Sequence, residues 1–149
     1  MPATIHATAL IAGYRGILIR GPSGSGKSSL ALSLLQSLNG FARLVGDDRI
    51  RLEAVHGRLL MRPASALEGL IEIRGIGIVR MPFEPVAVAH VAVDLAASDA
   101  QRLPASADLE TGIAGITLAR LPVAPGADAR ASLLAWLRQG ADLSPLPAG

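Results

Sequence analysis

The chain has 149 residues, half of them hydrophobic but with only one Trp, one Tyr and two Phe, which is apolar material for one core and too little length for two ordinary domains. A net charge of +2, arginines scattered along the chain and almost no aromatic rings for base stacking argue against a nucleic-acid partner. The absence of cysteine removes disulfides and thiolate metal sites, and no apolar run reaches the roughly 20 residues of a membrane helix, because Arg15, Arg20, Asp47 and Asp48 interrupt the early candidates.

The N-terminus lacks the basic start and apolar run of a secretory signal, so a cytoplasmic protein is expected. A core built from Ala, Leu, Ile and Val suits an α/β fold, a buried sheet flanked by helices. The expected organisation is a single domain over residues 1–139 followed by a Pro-Gly-Ala tail, 140–149, that frays.

Ile5 to Leu10 and Gly16 to Arg20 read as strands joined by the turn Gly13-Tyr14-Arg15-Gly16. The second strand ends in Gly21-Pro22-Ser23-Gly24-Ser25-Gly26-Lys27-Ser28, a complete GxxxxGK[ST] loop. Helical spacing of Leu30, Ala31, Leu34, Leu35 and Leu38 predicts a helix over Ser28 to Leu38, stopped by Asn39-Gly40. Phe41 to Val45 is a short apolar strand delivering Asp47 and Asp48 at its carboxyl end, where open α/β sheets place their sites.

Arg49 to Glu53 and Arg58 to Arg62 read as strands around His56-Gly57, and Pro63 to Gly69 connects them onward with a helical turn. Ile71 to Ile78 alternates like one strand, although Gly75 and Gly77 weaken it unless backbone or ligand comes close. Val86 to Leu95 and Ile116 to Leu121 are further strands, and Ala129 to Gln139 is an amphipathic helix with Leu133, Leu134, Trp136 and Leu137 on its core face.

Lys27 is the only lysine among fourteen basic residues, and it stands in the glycine loop. A compact ammonium on a flexible stem follows a phosphoryl group as the rigid guanidinium fork cannot. Gly21, Gly24 and Gly26 let backbone amides turn inward on phosphate oxygens, the helix amino end adds partial positive charge, and Ser28 is placed to hold Mg²⁺.

Asp47 and Asp48 are either a solvated turn or the carboxylates of a phosphate-loop enzyme, and their place after the loop helix favours the second. Adjacent carboxylates hold one another's pKa values apart, so one can stay ionised near Mg²⁺ while the other handles a proton. Glu72 and Arg74, two apart on one strand, share a face, and a plain salt bridge is as good a reading as a functional pair. His6, His56 and His90 have no partner pattern of their own, and Trp136 reads as core.

His6, the loop Gly21 to Ser28, Asp47-Asp48 and Glu72-Ile73-Arg74-Gly75-Ile76-Gly77-Ile78 together resemble the catalytic domain of HPr kinase/phosphorylase, in order and approximate spacing, from His6 to about Pro125. The resemblance implies a phosphoenolpyruvate carboxykinase-like α/β domain with a mixed, partly antiparallel sheet. It implies transfer of phosphoryl from ATP to a serine of HPr, a small carrier of the sugar phosphotransferase system, and the reverse phosphorolysis of phosphoserine-HPr.

By motif, Lys27 and the loop bind ATP, Ser28 and Glu72 hold Mg²⁺ and Asp48 accepts the serine proton. Asp47, Arg74, His6 and Arg102, the last within Asp99-Ala100-Gln101-Arg102-Leu103, complete the catalytic set. A homo-oligomer, a hexamer in the family, is implied as well.

Two departures stand out. Members commonly carry an additional N-terminal domain, so this chain is expected to match the short, catalytic-domain-only form of some alphaproteobacteria. Leu121-Pro122-Val123-Ala124-Pro125-Gly126-Ala127 resembles the family's Val-Pro-Val-Arg-Pro-Gly-Arg loop with both arginines replaced by alanine, which weakens any site for an attacking phosphate unless Arg120 or Arg130 substitutes. A small-molecule kinase and a silent nucleotide-binding regulatory module are the other readings of the same loop.

Overall fold

The structure is a computed structural model that describes residues 3–38 and 40–138. Its strands are β1 (Ala3–His6), β2 (Thr8–Ala12), β3 (Arg15–Arg20), β4 (Ala42–Gly46), β5 (Arg49–Val55), β6 (Arg58–Pro63), β7 (Leu70–Ile73), β8 (Gly77–Arg80), β9 (Ala87–Asp94), β10 (Glu110–Ile113) and β11 (Ile116–Pro122). Helix α1 (Lys27–Ser37) follows β3, helix α2 (Ala129–Arg138) follows β11, and short 3₁₀ turns occupy Ser65–Leu67 and Ser106–Leu109.

A nine-stranded mixed sheet runs β1-β5-β6-β9-β3-β2-β4, with β11 beside β9 and β10 beside β11. The apolar runs of β3 and β9 place them at its centre, and they pair in parallel with Ile17 opposite Val91 and Ile19 opposite Val93. β11 is also parallel to β9, whereas β2 is antiparallel to both β3 and β4. The carboxyl ends of β3, β4, β9 and β11 therefore share one edge, the edge at which the glycine loop leaves the sheet.

Alternation along the central strands divides the core in two. Ile17, Ile19, Val91 and Val93 face Leu30, Ala31 and Leu34 of α1 and Leu133 and Trp136 of α2. Leu18 and Ala92 point the other way, onto Ile50, Leu52, Leu59 and Met61 of the β5–β6 hairpin. Trp136 is core, as its spacing predicts, at 1% exposure.

Gly16 shows why one central position has no side chain. A Cβ there would lie 2.1 Å from the Val88 carbonyl oxygen, so β9 could not approach β3 as it does.

Four elements depart from the sequence expectation. The strand expected over Ile5 to Leu10 breaks at Ala7, whose N–H donates to the Asp48 carbonyl at 3.3 Å, so that β1 pairs with β5 while β2 pairs with β3 and β4. Ile71 to Ile78 is a hairpin, a separate two-stranded sheet of β7 and β8, because Gly75 and Gly77 take positive φ of 86° and 112° and reverse the chain.

The short β10 has no apolar run to announce it and exists by pairing with β11. The loop helix ends at Ser37, with Leu38 extended at φ −84° and ψ 129° and Gly40 at φ 93°. Asn39 of the expected stop, Gln139 and the expected tail 140–149 lie outside the described residues.

Candidate functional site

The glycine loop, the β1–β2 break, the β4–β5 turn and the β7–β8 hairpin meet around a cleft of about 300 Å³. Its walls include His6, Thr8, Ser23, Gly24, Gly26, Lys27, Ser28, Asp47, Asp48, Glu72 and Arg74. Every residue assigned a chemical role from sequence is therefore at this cleft or in the loop beside it, with one exception. Arg102 is exposed on the segment after β9 and is not among the cleft's walls.

Gly26, at φ 97°, opens α1, and no side chain caps the helix, so its first-turn N–H groups are left for a ligand or solvent at the cleft floor. Lys27 is only 7% exposed, and its Nζ donates to the carbonyls of Gly21 at 2.9 Å and Pro22 at 3.1 Å. Two of the three ammonium donors thus fold the loop back on itself. The Ser25 hydroxyl is buried in the loop with no hydrogen-bond partner. An orphaned donor, open helix amides and a buried ammonium together fit an anion with several oxygen acceptors, as a polyphosphate has.

Asp47 organises the opposite wall and is 5% exposed. Its Oδ1 accepts from Thr8 Oγ1 and from Ser28 Oγ, each at 2.7 Å, and its Oδ2 accepts from the Glu72 backbone N–H at 3.2 Å. One carboxylate thereby ties β2, the first turn of α1 and β7 together. Thr8 was not singled out from sequence. The only available signal was a hydroxyl residue at the start of an apolar strand, which carries no information until Asp47 is folded against it.

Asp48 faces the other way. Its φ is 70°, and the Arg49 N–H donates to the Asp47 carbonyl at 2.8 Å, so Asp48 is the middle residue of a γ-turn, a strained conformation that Asp tolerates better than most residues. Its side chain is 63% exposed and meets His6 Nε2 at 3.2 Å. The two carboxylates are thus separated in role by direction: Asp47 turns inward into hydrogen bonds, and Asp48 turns outward to the cleft beside His6. Glu72, next to last in β7, is in the cleft wall, and Arg74 lies past the strand end, in the hairpin turn. No ion pair links Glu72 to Arg74 among the described residues, so the plain salt bridge is not what holds them there.

Beside the loop, the strand ends are locked by charge. Arg20, the residue before Gly21, donates to both Asp94 oxygens at 2.7 and 2.9 Å, and Arg120 donates to Asp94 at 2.7 Å and to both Asp99 oxygens at 2.9 Å. Burial alone would push the Asp94 carboxyl up, but hydrogen bonds from Arg20 and Arg120, with their charges, hold it below its ordinary value of 3.8. Asp99 is lowered chiefly by its hydrogen bonds from Arg120, and the same bonds raise the Arg120 guanidinium. Arg120 is consequently committed to two carboxylates, and Arg130 donates to Ser37 Oγ at 2.8 Å. Neither stands in for a cation at Ala124 or Ala127, which sit in a turn closed by the Ala127 N–H on the Ala124 carbonyl.

A strand that ends in a glycine loop and opens a helix, with a carboxylate hydrogen-bonded to the helix's first serine, is the construction of a phosphate-loop protein. The chain belongs to the HPr Serine kinase C-terminal domain family, whose model matches residues 2–84. It is similar to the HPr kinase/phosphorylase of Mycoplasma mycoides subsp. mycoides, 44% identical over 73 residues that make up 49% of this chain and 22% of that protein. It is also similar to that of Clostridium tetani, 40% identical over 67 residues, 45% of this chain and 21% of that one. The chain thus spans about a fifth of the length of the curated relatives it matches.

Among solved structures it resembles the Hpr(Ser) kinase/phosphatase from Coxiella burnetii, with a TM-score of 0.75 and 26% identity over 92% of this chain and 89% of that one. The family match contains every cleft residue, whereas Arg102 and the turn at Ala124 to Ala127 lie beyond it.

Proposed function

We propose that the chain is an ATP-dependent protein serine kinase whose acceptor is the phosphocarrier HPr. The observation that carries this reading is the split of the Asp47–Asp48 pair, one carboxylate fastened to the loop's serine and the other standing in the cleft beside His6. Lys27, the loop amides and Ser25 bind the nucleotide phosphates. Asp48 takes the proton from the acceptor serine as its oxygen attacks the terminal phosphorus and the bond to the departing ADP oxygen breaks. Arg74 sits in the cleft wall, where its cation offsets charge spreading over the transferring oxygens.

Ser28 and Glu72, oxygen donors in the cleft wall, would hold Mg²⁺, which takes one or two carboxylates together with phosphate oxygens and waters. When bound, that ion neutralises phosphate charge and fixes the phosphate geometry. Arg102, the remaining residue of the catalytic set implied by motif, lies outside the walls of the cleft in this chain. With alanine at Ala124 and Ala127, phosphorolysis is weak or lost. A cytoplasmic setting and homo-oligomeric assembly belong to the same proposal.

The test mixes the full chain with Mg²⁺, ATP and HPr, reads serine phosphorylation by mass, and then adds inorganic phosphate to look for pyrophosphate. Serine phosphate on HPr is the expected result. ATP bound without turnover in the presence of HPr would mark a nucleotide-binding module instead, and transfer to a metabolite alone would mark a small-molecule kinase.

A further inference from the structure

Side chains alternate along the central strands, so the face that carries Leu18 in β3, Ala92 in β9 and Leu118 in β11 also carries, two places on, Arg20, Asp94 and Arg120. At the edge where the glycine loop leaves the sheet, that apolar face therefore ends in one carboxylate between two guanidinium groups. Arg20 and Asp94 are partners in the parallel register, and Arg20 grips both Asp94 oxygens at 2.7 and 2.9 Å. Arg120 reaches Asp94 through Nε alone and turns its other two nitrogens to Asp99.

Stability alone does not account for this cluster. Asp94 is 17% exposed and Arg120 13%, and apolar residues of similar size commonly do as well as such an ion pair, because desolvating the charges offsets their attraction. What charges supply and apolar contacts do not is direction, since a bidentate fork holds its two partners at one angle.

Direction matters most at Arg20, because the next residue is Gly21. The Arg20 carbonyl accepts from the Leu95 N–H at 2.9 Å, and a Cβ on Gly21 would lie 3.1 Å from the Leu95 Cβ and 2.6 Å from the Ser25 hydroxyl. The root of the loop is thus fastened to the end of β9 by side chain, backbone and contact at once. The Gly21 carbonyl in turn accepts from Lys27 Nζ at 2.9 Å. Four groups follow in sequence: the Asp94 carboxylate, the Arg20 guanidinium, the Gly21 carbonyl and the Lys27 ammonium. Arg120 shares the same carboxylate but leads away from the loop, to Asp99 and the Asp108 carbonyl.

We propose that Arg20 is a positioning residue for the nucleotide: clasped by Asp94, it sets the Gly21 carbonyl and, through it, the Lys27 ammonium and the loop amides that receive the phosphates. This rests on the reading of the loop as the nucleotide site of a kinase. Arg20 is not among the walls of the cleft, so it acts through the backbone that follows it.

The test compares Arg20→Gln with Arg120→Gln in the full chain, since each removes one guanidinium from Asp94 and only the first adjoins the loop. Arg120 bonds Asp94, Asp99 and Asp108 where Arg20 bonds Asp94 and Thr111, so Arg120→Gln should lower the melting temperature at least as far. Affinity for a fluorescent ATP analogue with Mg²⁺ should nevertheless fall about tenfold in Arg20→Gln and stay within about twofold in Arg120→Gln, because small displacements of a positioned group are costly. Amide exchange at Ser25 and Leu30, whose N–H groups donate to the Pro22 and Gly26 carbonyls, should be faster in Arg20→Gln than in Arg120→Gln.

An affinity that follows the melting temperature in both variants makes the cluster merely structural and overturns the proposal, as does an Arg20→Gln chain that binds the analogue like wild type. Should Arg20→Gln fail to fold, Arg20→Lys, which keeps the cation and gives up the fork, should weaken the analogue about threefold while Arg120→Lys does not, and equal affinities again overturn it. A wild-type chain that binds no ATP sinks the kinase reading, and amide exchange then decides alone: faster exchange in Arg20→Gln upholds the positioning role, and equal exchange in the two variants refutes it.

Discussion

Thr8→Val removes one hydrogen bond and almost nothing else, since valine has nearly the shape of threonine. Thr8 is 1% exposed, and its hydroxyl donates to Asp47 Oδ1 at 2.7 Å. A hydrogen bond to a charged group contributes about 1.5–3 kcal/mol. Ser28 still donates to the same oxygen, so the carboxylate is not orphaned and the lower part of the range, about 1.5–2 kcal/mol, applies. For a chain of this size the melting temperature should fall by about 3–8 °C.

The functional effect should exceed the effect on folding. Loosening Asp47 frees Ser28 and the β7 end to drift, and the loss of such an outer hydrogen bond typically costs 10-fold or more in metal affinity, so the Mg²⁺ concentration giving half-maximal transfer should rise about tenfold. Thr8→Ser keeps the hydroxyl and gives up only a methyl, about 1 kcal/mol, and should leave the Mg²⁺ dependence where it was. Thermal melts and Mg²⁺ titrations of the three proteins decide the matter. The reasoning fails if Thr8→Val melts within a degree of wild type, or if Thr8→Ser shifts the Mg²⁺ dependence as far as Thr8→Val does.

Lys27→Ala should weaken ATP binding and lower transfer by about 10²–10³-fold, read by nucleotide anisotropy and phosphoserine mass, since it removes the buried cation of the loop. Asp48→Asn should leave ATP affinity within about twofold while lowering transfer about 10²–10⁴-fold, because Asn also tolerates the left-handed backbone at φ 70° but takes up no proton. Full transfer by that variant would remove Asp48 as the base.

The strand-end network predicts an acid limb. The Asp94 carboxyl is held below its ordinary value in the folded chain, so its contribution is present above the unfolded value of 3.8 and is lost as pH falls through the lower folded value. Melts taken down from neutral pH should therefore steepen below about pH 4 for wild type. Asp94→Asn should be less stable at neutral pH and flatter in acid, and an unchanged acid limb would exclude the network as its source.

Much of the candidate site was legible before folding because its signals are local. The GK[ST] loop needs only its own glycines and the helix that follows, and Asp47-Asp48 could be placed by the apolar strand running into it. The alternation over Ile71 to Ile78 reads as one strand, since period-2 alternation persists across a turn whose only mark is Gly75 and Gly77. Thr8 was invisible, because its importance comes from a carboxylate 39 residues away. Arg120 was named as a possible phosphate cation, and the fold instead closed Asp94 and Asp99 onto it.

The sequence by itself determined the chemistry on offer: an ammonium in a glycine loop, a pair of carboxylates at a strand end, and an α/β pattern of apolar runs to carry them. These follow from residue type and short-range spacing, which the chain states directly. Only the tertiary structure decided the direction of each group. The γ-turn at Asp48 turned Asp47 inward and Asp48 outward, and hairpin register set Ile78 beside Glu72. What fixes them is contact between segments far apart in sequence, the hydrogen bonds that Asp47 accepts from Thr8, Ser28 and the Glu72 N–H, which no local pattern states.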